Sequence, residues 1–404
     1  MHLMRLTVSA RRVLIVLGLA TAGATAAAVA TAIPASAEPL GVVQLAGSPD
    51  AVGNSYIVVL KNSSTSVSTA ASQLVSRHGG AVRQTYGSAL RGFEVSTSAT
   101  SARKLAGDPA VAFVEQNRVI HLDATQANPP SWGLDRIDQA NLPLNNSYTF
   151  PNTASNVHAY IIDTGIRFTH TTFGGRAVSG FDAVNPGTPA DDGNGHGTHV
   201  AGTVGGNQFG VAKGVSLVAV RVLNNQGSGT TAQVVSGINW VTQNAIKPAV
   251  ANMSLGGGVS TAIDNAVAAS INSGVTYAIA AGNSNANACN ASPARVPAAI
   301  TVGATQINDA RASFSNFGTC VDIFAPGVNI TSSWRTSDTA TNTISGTSMA
   351  TPHVTGAAAL ILSAHPTFSP AQVTSAMVTA STKNVVTSPG TGSPNRLLFV
   401  SQNP

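Results

Sequence analysis

Charge is scarce in this chain, and one acidic residue type is missing from most of it. Only 9% of the 404 residues are Asp, Glu, Lys or Arg, and residues 124–404 contain ten Asp and no Glu. That composition excludes a disordered polyelectrolyte. It also excludes a nucleic-acid partner, because binding phosphates takes clustered basic side chains. The net charge is +5, but residues 1–123 hold ten basic and six acidic residues while 124–404 hold eleven and ten. The basic excess therefore lies mainly in the first third. Cysteine is reduced to Cys289 and Cys320. In an exported protein two cysteines usually pair, and this separation would close a loop worth about 3–4 kcal/mol; two free buried thiols are the alternative. After residue 33 no stretch could span a membrane. What is abundant is Gly (39) and Pro (20), the residues of tight turns in a compact protein.

The one long apolar run, residues 13–33, follows Arg5, Arg11 and Arg12 and precedes Pro34 and Ala35-Ser36-Ala37. A basic start, an apolar middle and a small-residue exit describe a secretory signal cleaved after Ala37. A membrane anchor is the alternative by length, but the run is mostly Ala, Thr and Gly, too weakly apolar for one. The Arg11-Arg12 pair also fits a twin-arginine signal. The expectation is a secreted, extracellular protein with no membrane association after signal removal.

Residues 38–52 read as a loose linker. From 55 to about 122 the pattern is strand (55–61), helix (67–80, ending at Gly79-Gly80), strand pair (81–96), helix (101–111) and strand (113–122), the β-α-β-β-α-β order of a small ferredoxin-like α+β domain. After residues 123–132 the grain changes. Strand-like apolar runs at 157–163, 216–223, 250–256, 275–282 and 298–304 alternate with helix-periodic stretches at 230–245 and 261–274. This predicts an α/β fold with a central, mostly parallel sheet and helices on both faces, in three layers. Ser369, Pro370 and Gln372 mark the start of a late helix.

Three polar motifs fall at the ends of these elements. "IIDTG" places Asp163 at the C-terminal end of the first strand, where open α/β sheets bind ligands. "GNGHGTHVAGT" places His196 between glycines at the start of a helix. "GTSMATPHV" places Ser348 at the start of another, with Gly346 expected to allow a tight turn and Pro352 in the first helical turn. Singly, each has a plainer use: Asp163 as a turn former, Ser348 as a helix cap, His196 with His199 as metal ligands, although no third ligand is obvious. Together they are the parts of an activated nucleophile. A serine hydroxyl needs an imidazole to take its proton, and the imidazole needs a carboxylate to hold its tautomer.

With their flanks, these motifs resemble the subtilisin-like serine peptidases, and most closely the branch of proteinase K and aqualysin. The order Asp, His, Ser is that of subtilisin, and the likeness covers essentially all of 124–404. It implies Asp163 as orienter, His196 as general base and acid, Ser348 as nucleophile, and Asn283 of "AAGNSN", with Ala281 and Gly282 beside it, as oxyanion donor together with the Ser348 amide. It implies that Gly227, Ser228 and Gly229, and Ser254, Leu255, Gly256 and Gly257, form two edges between which an extended peptide pairs. It makes the 55–122 domain an inhibitory propeptide and folding template for a slow-folding parallel sheet, cut near Asp123 or Ala124 to leave a kinetically trapped enzyme. It implies structural calcium and no catalytic cofactor, with Asp135, Asp138, Gln139, Asn145 and Ser147 as one oxygen set and Asp322 with the carbonyls of Pro297 and Ala299 as another. Helix caps and solvated carboxylates are the plainer use of these residues.

The resemblance has two departures. Relatives often carry a second disulfide at positions that hold Gly193 and Asn225 here, which implies less heat resistance. Some carry a cysteine where Val200 stands, so mercurials should inhibit weakly. The expected activity is broad-specificity hydrolysis of protein and peptide substrates by a monomer, at neutral to alkaline pH where His196 is unprotonated, with a bulky apolar or aromatic side chain preferred before the scissile bond. Two other classes fit the residues less well. A lipase or esterase needs Gly where Ala350 sits and the order Ser, Asp, His. A catalytically inactive calcium-binding surface protein has no need of Asp163, His196, Asn283 and Ser348.

Overall fold

The computed structural model describes residues 40–48, 51–118 and 124–402. The basic and apolar N-terminal segment and the chain just before Ala124 lie outside them, so the expected signal and Asp123 do too. The chain divides into two compact units, one built on residues 54–115 with the segment before Leu45, the other on residues 116 onward with Leu45–Gly53.

The small unit contains β1 (Val43–Gln44), β2 (Ala51–Leu60), α1 (Val67–His78), β3 (Ala81–Tyr86), β4 (Gly92–Ser96), α2 (Ala99–Gly107) and β5 (Val111–Arg118). They form a five-stranded sheet in the order β1-β5-β2-β4-β3. Both helices start at serines, Ser66 and Ser98, whose hydroxyls accept amide N–H groups from Thr69 and Ser101, the usual way of satisfying donors that lack a helical partner. Leu74 and Leu105 from the helices pack on Val58, Phe93 and Val95 from the strands. The β-α-β-β-α-β order is present. The expected linker is partly ordered: Val43 and Gln44 pair in parallel with Val114 and Glu115, and β2 begins before residue 52. An edge strand is held through its backbone, so two residues suffice and leave no alternation to read.

The large unit contains β6 (Ala124–Ala127), α3 (Trp132–Ile137), β7 (Ser147–Phe150), β8 (His158–Asp163), β9 (Ala177–Asp182), α4 (His196–Gly205), β10 (Ser216–Arg221), α5 (Thr231–Asn244), β11 (Ala249–Met253), α6 (Thr261–Asn272), β12 (Thr276–Ala280), β13 (Ile300–Thr305), β14 (Ile323–Pro326), β15 (Ile330–Ser333), β16 (Thr341–Ile344), α7 (Thr347–Ala364), α8 (Pro370–Ala380), β17 (Thr382–Lys383) and β18 (Arg396–Leu397). Its main sheet has nine strands in the order β17-β18-β14-β13-β12-β11-β8-β10-β9, parallel except for the β17–β18 pair. Successive residues of β8 serve opposite faces, as the pleat requires. Ala159 and Ile161 enter the core with α4 and α7, Tyr160 and Ile162 the core with α5 and α6. Helices α5 and α8 each begin with a full capping box, Thr230 with Gln233 and Ser369 with Gln372. β8 lies between β11 and β10, so the strand order reverses beside it. Such a switch point opens a crevice at the C-terminal ends of the strands.

Candidate active site

Asp163 is the last residue of β8 and is fully buried. Its Oδ1 accepts the Thr164 amide at 2.8 Å and lies 2.7 Å from Nδ1 of His196. His196 opens α4. The residue before it, Gly195, has φ +118°, and a Cβ there would meet the Trp334 ring at 2.5 Å, so only glycine fits the turn. The imidazole is about one quarter exposed. Burial works against its cation, but the charge and hydrogen bond of Asp163, with the charge of Asp192 behind, outweigh it and raise the pKa above the ordinary 6.5. A proton on Nδ1, facing Asp163, leaves Nε2 as the basic atom.

Asp192 was not singled out from the sequence. Its Oδ1 accepts the hydroxyl of Thr164 and the amides of Asn194 and Gly195, and its Oδ2 accepts the amide and hydroxyl of Thr198, all at 2.6–2.9 Å. One buried carboxylate thus fastens the mouth of α4 to the end of β8. The D-G-N-G-H run carried a signal for this, since an acid just ahead of a helix is a capping residue.

Ser348 is the second residue of α7. Every other residue from Gly346 to Leu362 is buried; Ser348 alone is half-buried. Two expectations about its surroundings need correcting. Gly346 has φ 162°, an extended conformation open to any residue, so no tight turn calls for glycine. Its role is spatial: a Cβ there would stand 3.6 Å from both Asn283 Nδ2 and the Ser348 amide nitrogen, and the missing side chain leaves the space before these two donors open. Pro352 is not in the first turn but inside the helix. Lacking an N–H, it cannot serve the Ser348 carbonyl. The hydroxyl of Ser254, just past the end of β11, donates to that carbonyl at 2.8 Å instead, and Asn252 Nδ2 donates to the Ser254 hydroxyl at 2.9 Å. The Ser348 hydroxyl in turn donates to the Ser254 carbonyl at 3.1 Å.

Asn283 follows β12. Its Oδ1 accepts both the amide and the hydroxyl of Thr347, at 2.8 and 2.9 Å, which turns Nδ2 toward Ser348. Thr347 is thus a second residue that sequence reading missed; its place beside Ser348 was visible, its partner was not.

The two expected edges meet in one cavity of about 630 Å³, bordered by His196, by Gly227, Ser228 and Gly229, and by Ser254, Leu255, Gly256 and Gly257. An adjoining cavity of about 230 Å³ is bordered by Leu255, Gly256, Gly257, Ala281, Gly282, Asn283, Ala294 and Ser348. Gly257 borders both, but its N–H and C=O are already paired with Ser292. Cys289 and Cys320 form a disulfide with Cα atoms 5.3 Å apart. At the departure from the family pattern, the Asn225 side chain fills the space a side chain at Gly193 would need, and its Oδ1 accepts Arg221 at 2.7 Å. Val200 is buried in the core.

Helix α3 and the loop after it gather the first oxygen set. Asp135 accepts the amides of Asn145 and Asn146, Asn145 Oδ1 accepts the amide and hydroxyl of Ser147, and Asp138 Oδ2 accepts the Thr149 amide. Asp138 Oδ1 and Gln139 Oε1 are buried without a protein donor. Desolvation, with Asp135 nearby, raises Asp138 to about 6. Two orphaned acceptors and a disfavoured negative charge suit a hard cation. In the second set, burial raises Asp322 to about 6 and its Oδ2 accepts the Thr301 amide at 2.8 Å, two residues from Ala299. Pro297 borders a surface depression with Lys247 and Pro248. Among the described residues no three His, Cys, Asp or Glu side chains cluster as a metal site.

Residues 155–397 match the model of the subtilase family, and residues 55–123 that of the peptidase inhibitor I9 family. The chain is 58% identical over 321 residues to an extracellular serine proteinase of Thermus sp. (strain Rt41A), covering 80% of this chain and 78% of that one. It is 48% identical over 372 residues to alkaline serine exoprotease A of Vibrio alginolyticus, covering 88% and 69%. The crystal structure of a cold adapted subtilisin-like serine proteinase superposes with a TM-score of 0.66 at 56% identity, covering 67% of this chain and 98% of that one.

Proposed function

The chain belongs to the subtilase family of serine proteases, and from that premise we propose that it is a secreted endopeptidase of broad specificity that cleaves peptide bonds through Asp163, His196 and Ser348. The observation that carries the reading is the open space 3.6 Å from both Asn283 Nδ2 and the Ser348 amide, beside a half-buried hydroxyl at the otherwise buried start of α7. At rest the Ser348 hydroxyl is held by the Ser254 carbonyl. With a peptide laid along the cleft, Oγ turns to His196 Nε2 and attacks the scissile carbonyl as Nε2 takes its proton. Asp163 stabilises the imidazolium. The oxyanion enters the space before Asn283 Nδ2 and the Ser348 N–H, at the positive end of α7. Collapse passes the proton from His196 to the leaving amine, and water then releases the acyl group by the same route. The smaller cavity, walled by Leu255, Ala281 and Ala294, receives an apolar or aromatic side chain before the scissile bond. Casein and a p-nitrophenyl ester, assayed with wild type and Ser348→Ala, test the mechanism. Both activities should vanish in the variant, and surviving proteolysis would overturn it.

Three further parts belong to the proposal. Residues 1–37 act as an export signal, supported by their basic, apolar, small-residue pattern and by relatives named as extracellular. Residues 38–123 are a propeptide that inhibits and templates the domain 124–404 and is removed near Ala124, supported by the I9 match. If 124–404 expressed alone folded quickly to active enzyme, the template role would be lost. Calcium is bound by the oxygens of Asp135, Asp138, Gln139, Asn145 and Ser147, supported by the orphaned Asp138 and Gln139 oxygens, and at a second site by Asp322 with the carbonyls of Pro297 and Ala299. The ion adds stability, not chemistry. EGTA should lower the melting temperature, and an unchanged melting curve would remove calcium from the account. The enzyme works as a monomer.

A further inference from the structure

The amide of Asn283 is only as useful as the loop that carries it, and one side chain grips that loop at several points. Asn316, in the segment between β13 and β14, is buried. Its Oδ1 accepts the amides of Ser284 and Ala286, each at 3.0 Å. Its Nδ2 donates to the Ala281 carbonyl at 2.8 Å, and its own amide donates to the Gly282 carbonyl at 2.9 Å. These bonds grip the chain on both sides of Asn283. The fit extends to Gly282, which has φ +102°, and where an added Cβ would collide with Asn316 Nδ2. The glycine and the asparagine are two halves of one packing arrangement. Only a side chain with an acceptor and a donor on one planar group can serve two N–H groups and a carbonyl at once. Ala would deprive both N–H groups and the carbonyl of this partner, and Asp would set a negative oxygen against the Ala281 carbonyl.

We propose that Asn316 is a positioning residue for the oxyanion donor, holding residues 281–286 so that Asn283 Nδ2 and the Ser348 amide face one point. Asn316 does not touch substrate. It acts through Asn283, whose own Oδ1 is pinned from the other side by Thr347. Its loss releases a donor that must be in place before the charge develops, because preorganised donors cost nothing to reorient at that moment. The inference rests on the reading of Asn283 as an oxyanion donor.

The test is a double-mutant cycle on the processed enzyme, with kcat and KM measured on a short peptide ester. Asn316→Ala should lower kcat by about 10- to 100-fold, the scale expected for a catalytic group displaced by about 1 Å, with KM little changed. Asn283→Ala should lower kcat by about 10²–10³-fold, the magnitude measured in subtilisin for such a donor. Asn283→Ala with Asn316→Ala should be no slower than Asn283→Ala alone. A peptide aldehyde, whose adduct places an oxygen in the same space, should bind more weakly to Asn316→Ala, whereas a non-covalent peptide inhibitor should not. Asn316→Asp keeps both acceptor bonds and replaces the donor by an oxygen that repels the Ala281 carbonyl, so it provides the same readouts if the alanine variant misfolds. Fully multiplicative losses in the double variant would overturn the inference, because a merely structural residue would harm Asn283→Ala as much as wild type. An Asn283→Ala enzyme with wild-type kcat would instead overturn the oxyanion reading beneath it.

Discussion

At the scale of single residues, the site depends on one side chain being absent. Gly346 is not required by its backbone angles, and nothing lies closer than 3.6 Å to a Cβ built there. Gly346→Ala should therefore fold with an unchanged melting temperature while its methyl occupies the space before Asn283 Nδ2 and the Ser348 amide. A drop in kcat comparable to losing a donor, about 10²–10³-fold, is the expected result, read from ester hydrolysis beside a thermal melt. The sequence motif "SGTSMA" pointed to Gly346 but suggested the wrong reason, a tight turn. A sequence shows that a residue is small. It does not show whether the lack of a side chain serves the chain's own path or the space in front of it.

At the scale of elements, α7 is a buried helix with a planned defect. Pro352 removes the N–H that would serve the Ser348 carbonyl, and the Ser254 hydroxyl replaces it from the end of β11. Ser254→Ala should leave that carbonyl unpaired and cost about 1–3 kcal/mol, measured by urea unfolding. Pro352→Ala restores a helical N–H and should return part of the loss when combined with Ser254→Ala. The elements read from sequence, β8, β10 to β13, α5, α6 and α8, lie within a few residues of their expected bounds, because buried parallel strands are continuous apolar runs and caps have local signatures; β9, β14, β17 and β18 of the same sheet were not read. The hydrogen bond from Ser254 to Ser348 joins residues 94 apart in sequence, and local pattern holds no trace of it.

At the scale of the whole molecule, two imidazoles lie inside the core. His353 on α7 has Nδ1 on the Met349 carbonyl and a buried Nε2 without a protein partner, packed where a Cβ on Gly133 would stand at 2.5 Å. His199 on α4 bonds the Ile330 carbonyl. Burial holds His353 down at about 4 and His199 at about 3. The unfolded chain takes up these protons near pH 6.5 and the folded chain does not, so their contribution is complete above pH 6.5 and is lost as pH falls from there toward 3. Urea midpoints of enzyme inactivated at Ser348 should fall steeply between pH 7 and 4, and His353→Asn should flatten that slope. Asp138 and Asp322 run the other way. Their raised values, near 6, mean that without a cation their share of stability is present below about pH 4 and lost as pH rises through 6. The destabilisation by EGTA should therefore be larger at pH 8 than at pH 5.

Sequence alone determined the two-part organisation and the layered α/β architecture, and singled out the acid, the imidazole and the hydroxyl of the proposed site. These rest on periodicity, caps and motif residues, which are local properties of the chain. Tertiary structure alone decided how those groups are held: Asp192 gathering the mouth of α4, Thr347 and Asn316 setting the face of Asn283, Ser254 completing a helix that Pro352 leaves open, and the empty space at Gly346. Each of these is a contact or a gap between segments far apart in order, created only when the strands align and bring their C-terminal ends to one edge.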